Sequence, residues 1–165
     1  MAQTATIATA QFVEFLNAAD TGLGSAVATL AADSGMALAP IAQGQIVNQN
    51  VPIALAERAK AVKYPVLYVY SDRVQNLLTE KFRTFSGKVR TVAEVRVSQD
   101  RLEGIEQQLR LYVDAVTQVL DSNRGSWSQG MFFTGGYAVS FEAVQHGGSN
   151  FVQVAKVSFE VDLSS

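Results

Sequence analysis

An α+β fold is predicted by three features of the sequence. Residues 1–63 are rich in alanine and carry helical spacing, period-two apolar runs begin at Tyr64, and one long amphipathic stretch separates two pairs of such runs. The predicted architecture is a mainly antiparallel sheet of four or more strands covered by one long helix. A helical N-terminal segment, 1–63, packs on the same domain as an α+β core, 64–165.

The elements follow from spacing and punctuation. In "TAQFVEFLNAAD" the residues Phe12, Phe15 and Leu16 share one helical face, and Gly22 and Gly24 interrupt the pattern. "SAVATLAADSG" reads as a second helix, with Ser25 at its start and Gly35 just past its end. "VPIALAERAKAV" reads as a third, Pro52 occupying a first turn that needs no N–H donor. Between them, "MALAPIAQGQIVNQN" reads as loop with at most a short strand.

In "KYPVLYVYSD", Tyr64, Val66, Tyr68 and Tyr70 alternate with Leu67 and Val69, which predicts a central strand covered on both faces; Pro65, unable to donate, belongs at its start. A polar stretch follows. "GKVRTVAEVRVSQD" then sets Val89, Ala93, Val95 and Val97 against Lys88, Arg90, Glu94 and Arg96, a strand with one wet side. From Asp100 to Gly125, apolar residues at helical spacing (Leu102, Ile105, Leu109, Tyr112, Val113, Val116, Val119, Leu120) predict the long helix. Asp100 and Glu103 form a capping-box-like start, and Asn123 and Gly125 a stop. Two strands close the chain, one through Met131, Phe133, Tyr137, Val139 and Phe141, the other through Val157, Phe159, Val161 and Leu163. "QHGGSN" forms the hairpin tip between them.

Composition narrows the function classes. The 165 residues suit one domain, whose usual size is about 100–150 residues. Charged residues make up 17% against a typical ~25%, which points to surface buried against partners. A net charge of −2 supplies no basic field for nucleic acid, and the absence of cysteine removes disulfides, thiol nucleophiles and thiolate-held zinc. The N-terminal stretch does not read as a signal peptide, and no run reaches the ~20 apolar residues of a membrane span, so a soluble protein with no membrane partner is expected.

No catalytic constellation emerges. The sole histidine, His146, falls in the hairpin tip, without the buried setting that tunes a base. No second histidine or EF-hand spacing supports a metal, and Glu103 and Glu106 suit a helix start. "DTGLGSA" lacks the third glycine and preceding strand of a dinucleotide loop, and in "FSGKVR" Val89 stands where a phosphate loop needs Ser or Thr. The expectation is no enzyme activity, no cofactor, no metal and no catalytic residue. Arg83, Lys88, Arg90 and Arg96, near Lys81 with Phe82 and Phe85 interleaved, form a candidate charged docking surface.

The stretch "WSQGMFFTGGY", residues 127–137, packs four aromatic rings and three glycines into eleven positions without a charge. Its odd positions suit the core, including Tyr137, but Phe132 falls on the opposite face. Trp127 and Phe132 are therefore candidate subunit-interface residues, the alternative being that both tuck under the N-terminal helices.

From Tyr64 onward, "YPVLYVYSD", "FSGKVRTVAEVRVSQDRLEGIEQQLRLYVDAVTQVLDSNRG" and the closing "VAKVSFEVDLSS" resemble tail terminator and related neck (head-to-tail joining) proteins of long-tailed bacteriophages. The resemblance covers about the last hundred residues and rests on the order of elements, a strand running directly into a long helix at "VRVSQDRLEG", and the terminal "VSFEVDL" strand. It implies a structural virion protein, assembled in the host cytoplasm, that forms a homo-oligomeric, usually hexameric ring at the end of the tail tube. Such a ring terminates tube polymerisation. Its implied partners are the tail tube protein and a head-completion or connector protein, and DNA passes through its lumen without sequence-specific binding. Alternatives are another phage neck or head-completion protein, an apolar-ligand-binding α+β domain with Tyr68, Phe133 and Tyr137 lining the site, and an enzyme built on Glu94 and Glu142.

Overall fold

The computed structural model describes residues 3–58 and 62–165, an α+β arrangement of four helices and a mixed eight-stranded sheet. The helices are α1 (Thr4–Leu16), α2 (Leu23–Ser34), α3 (Ile53–Arg58) and α4 (Ile105–Asp121). The strands are β1 (Ile46–Val47), β2 (Val66–Asn76), β3 (Ser86–Gln99), β4 (Gly125–Ser126), β5 (Met131–Phe133), β6 (Tyr137–Phe141), β7 (Gln145–Gly147) and β8 (Asn150–Ser164). The third helix was expected to run on through residues 59–61, which lie outside the described residues.

β8 organises the sheet. One side pairs antiparallel with β3 from Ser86↔Ser164 to Gln99↔Phe151; the other takes β7, β6 and β5 in succession. β2 pairs antiparallel with β3, and β1 adds the single parallel pairing among the described residues, at Leu67 and Tyr68 of β2. β2 is therefore central only at its start. From Ser71 to Asn76 it has β3 on one side and no strand on the other among the described residues, and a bulge at Asp72 twists this open edge.

The sheet is covered on both faces, as the two-sided apolar character of β2 requires. Leu67 and Val69, with Val89, Ala93, Val95 and Val97 of β3, join the main core under α1, α2 and α4. α1 and α4 lie on the sheet and α2 packs mainly on α4, where one covering helix was expected. The stripe of α4 from Ile105 to Leu120 is buried, each large side chain contributing about 1.5–3 kcal/mol. The Tyr112 hydroxyl donates to the Ala39 carbonyl at 2.5 Å. α4 starts later than its periodicity suggests: Gly104 caps it at φ 81°, the Gln99 amide donates to the carbonyls of Arg101 and Glu103, and Leu102 lies exposed.

Val66, Tyr68, Tyr70 and Val92 face the other way and meet Val51 and Ala56 from the α3 strap. β3 is thus not wet along its length. Glu94 and Arg96 are only 5% and 3% exposed, beneath that strap, whereas Lys88 and Arg90 at the other end are open.

The expected strand from Met131 to Phe141 is two strands. β5 sets Phe132 opposite Asp162 and β6 sets Tyr137 opposite Phe159, a shift of two residues made at Gly135, whose φ of 104° a side chain would rarely adopt. Met131 and Phe133 are buried, but Tyr137 and Phe141, expected in the core, are exposed. β7 and β8 meet through the two-residue turn Gly148-Ser149.

Candidate functional site

The loop between β2 and β3, residues 77–85, falls in a stretch expected to be polar, yet it presents the two most exposed large apolar side chains among the described residues. Phe82 is fully exposed (103%), Leu78 63% and Leu77 46%. Solvent-facing apolar groups of this size on a floppy loop would collapse inward; here the backbone is tied down.

Asn76 organises the loop: its Oδ1 accepts from the backbone N–H of Leu78 (3.3 Å) and Ser86 (3.1 Å), and its Nδ2 donates to the Thr84 carbonyl (3.1 Å). The Ser86 hydroxyl accepts from the Glu80 N–H at 3.0 Å, and the Ser165 carbonyl accepts from the N–H groups of Thr84 and Phe85 at 3.0 and 3.1 Å. Phe85 plugs the base of the loop into the main core. Gly87 permits the close approach of the two strands, because a Cβ there would stand 1.9 Å from the Gln75 carbonyl oxygen. Leu78 and Phe82 sit at φ 50° and 63°, the left-handed region that costs an L residue about 1–2 kcal/mol. The loop holds apolar side chains outward at a conformational cost.

Phe132 lies at the base of this loop. It is 45% exposed and, with Leu77, Thr79, Gly87 and Leu163, lines a groove of about 400 Å³ between the base of the loop and the end of β8. Trp127 does not join it. At 8% exposure it packs edge-on against Phe15 at 5.0 Å and near Phe133 and Phe159, and its Nε1 donates to the Asn123 carbonyl at 2.7 Å. Of the two candidate interface residues, only Phe132 is open.

The four arginine and lysine positions also separate. Arg83 lies 3.6 Å from Glu80. Lys88 reaches Asp162 at 3.1 Å and Glu160 at 3.7 Å; the hydrogen bond to Asp162 and its charge hold the ammonium above its usual pKa. Arg90 forks onto Asp72 at 2.8 and 2.7 Å, and these bonds hold the Asp72 carboxyl below the usual range. Arg96 cannot dock anything in this state: its Nε donates to Glu94 at 2.6 Å, its guanidinium stacks 4.2 Å above the Tyr68 ring, and it donates to the Val51 carbonyl. The unpaired cations of the hairpin are Arg73 and Lys81, which make no ion pair among the described residues.

The remaining candidates are dispersed or satisfied. Glu94 and Glu142 meet through Lys156, 3.7 Å from the first and 3.4 Å from the second, and Glu94 also accepts from the Tyr70 hydroxyl at 3.1 Å. Burial and then the Glu94 charge push the Tyr70 hydroxyl above its ordinary pKa. His146 is exposed on the β7–β8 hairpin with its ring against Phe151. Tyr68 lines an apolar cavity of about 520 Å³ with Val47, Val51, Leu55 and Val66, but Phe133 lies in the core on the other side of the sheet and Tyr137 is exposed.

Among the described residues no group of three or more His, Asp or Glu is placed to hold a metal, and no helix is long and apolar enough to cross a membrane. No family model matches the chain, and no curated protein matches it.

Proposed function

We propose that this chain is a structural assembly protein, a ring-forming subunit at the end of a phage tail tube that stops tube growth and joins the tail to the head connector. The observation that carries the assembly role is the tethered β2–β3 loop, with Phe82 and Leu78 exposed at left-handed backbone positions and the exposed Phe132 lining the groove at its base. The tail-end placement rests on the resemblance of the strand, long-helix and closing-strand sequence to tail terminator and neck proteins. Glu94 supports a non-catalytic reading, because Arg96, Tyr70 and Lys156 already occupy it. Sedimentation of the purified chain, alone and with tail tubes, tests the proposal: the expected result is a closed oligomer that caps tube ends. A chain that stays monomeric and leaves tubes growing refutes it.

The apolar cavity beneath the α3 strap supports a second reading, a binding domain for a small apolar ligand. Native mass spectrometry separates the two, since this reading requires an added mass on each monomer.

A further inference from the structure

The charges of this protein are segregated by layer. Residues 3–36, which form α1 and α2, contain Glu14, Asp20 and Asp33, all exposed, and no lysine or arginine. The hairpin beyond the bulge carries the reverse: Glu80 is matched by Arg83, which leaves as its unpaired charges Arg73, on the open edge of β2, and Lys81, the chain neighbour of the exposed Phe82. A net charge of −2 conceals this polarity.

We infer that the hairpin tip of one copy docks, through Phe82, Arg73 and Lys81, onto the acidic α1–α2 layer of a second copy. This rests on the assembly reading above and gives that assembly its direction. The segregation disfavours both symmetric alternatives. A tip-to-tip contact would bring Arg73 and Lys81 against their own kind, and a layer-to-layer contact would oppose the three carboxylates. Only the tip-to-layer contact joins opposite charges. It is heterologous, using two different surfaces of each chain, and builds a ring where its rotation closes. The outward side of α2 carries exposed Ala28 and Ala32, side chains small enough for an aromatic ring to lie close to the helix.

The experiment is charge reversal with rescue by mixing, read by sedimentation velocity at low ionic strength. One variant reverses the tip (Arg73→Glu, Lys81→Glu), the other the layer (Asp20→Lys, Asp33→Lys). All four sites are exposed, and the fluorescence of the single tryptophan, buried Trp127, reports that each variant folds. Each variant alone is expected to lose self-association about tenfold or more. Mixed, they restore both opposite-charge contacts in alternation, so assembly returns with both chains in it. If the wild type assembles and either variant alone assembles equally well, the inference fails while the assembly reading stands. If both variants fail alone and mixing restores nothing, the tip meets some other surface and the inference is overturned. A wild type that never associates overturns both.

Discussion

Arg90 and Arg96 lie on one strand, on one face, six residues apart, and their substitution is expected to have very different consequences. Arg96→Met keeps the volume of the stem but removes the cation that faces Glu94 in a site where both residues are 5% exposed or less. Breaking a buried ion pair from one side costs about 3–5 kcal/mol. Lys156 at 3.7 Å and the Tyr70 hydroxyl at 3.1 Å still attend the carboxylate, which places the loss at the lower end, about 3 kcal/mol. For a chain of this length that lowers Tm by about 6–12 °C. Arg90→Met breaks a pair at the surface and is expected to cost no more than about 1 kcal/mol, or about 2–4 °C in Tm. The Arg96→Met, Glu94→Met double variant removes both charges and should recover most of the loss. Urea unfolding followed by Trp127 fluorescence, with thermal melts by circular dichroism, reads all three. Equal destabilisation by the two arginine variants would refute the claim that the α3 strap buries this end of β3.

Three further outcomes follow from the geometry. Phe82→Gly relieves a left-handed residue that packs on nothing, so stability is expected to hold or rise by up to about 1 kcal/mol while self-association weakens; a large stability loss in urea titration contradicts this. Trp127→Ala should cost about 3–5 kcal/mol, since the ring is enclosed by Phe15, Phe133 and Phe159, whereas Phe132→Ala should barely move the melting curve and should impair assembly. The Asp72 carboxyl has a lowered folded-state pKa, so the stabilisation from its pairing is complete above the unfolded carboxylate value and is lost as pH falls through the folded value. The stability advantage of wild type over Asp72→Asn should therefore shrink below about pH 4, and a difference independent of pH would show that the Arg90 fork contributes nothing.

Periodicity made much of the fold legible because it reports a burial that each element must achieve whatever it packs against. The stripe on α4 from Ile105 to Leu120 and the two-sided apolar run of β2 had no other use, and Gly35 and Gly148 marked ends that the backbone does turn at, with φ of 70° and 82°. The limits of α4 were less legible, since Leu102 carries the right spacing while Gly104 and the Gln99 side chain stop the helix short of it. The candidate site was harder still. "LLTEKFRTF" shows its apolar residues plainly, but alternation has no meaning in a loop, and only the Asn76, Ser86 and Ser165 bonds show that Leu78 and Phe82 are held outward.

What the sequence by itself determined is which residues share a face: Lys88, Arg90, Glu94 and Arg96 do stand on one side of β3, and Phe132 does stand opposite Met131 and Phe133. Only the tertiary structure decided which part of a face is covered. A strap from residues 51–58 buries Glu94 and Arg96 and leaves Arg90 open; the side chain of Trp127 turns into a ring cluster built from α1, β5 and β8. Side-chain direction is a local property set by backbone geometry, whereas exposure depends on segments that lie far away in the chain and arrive by packing.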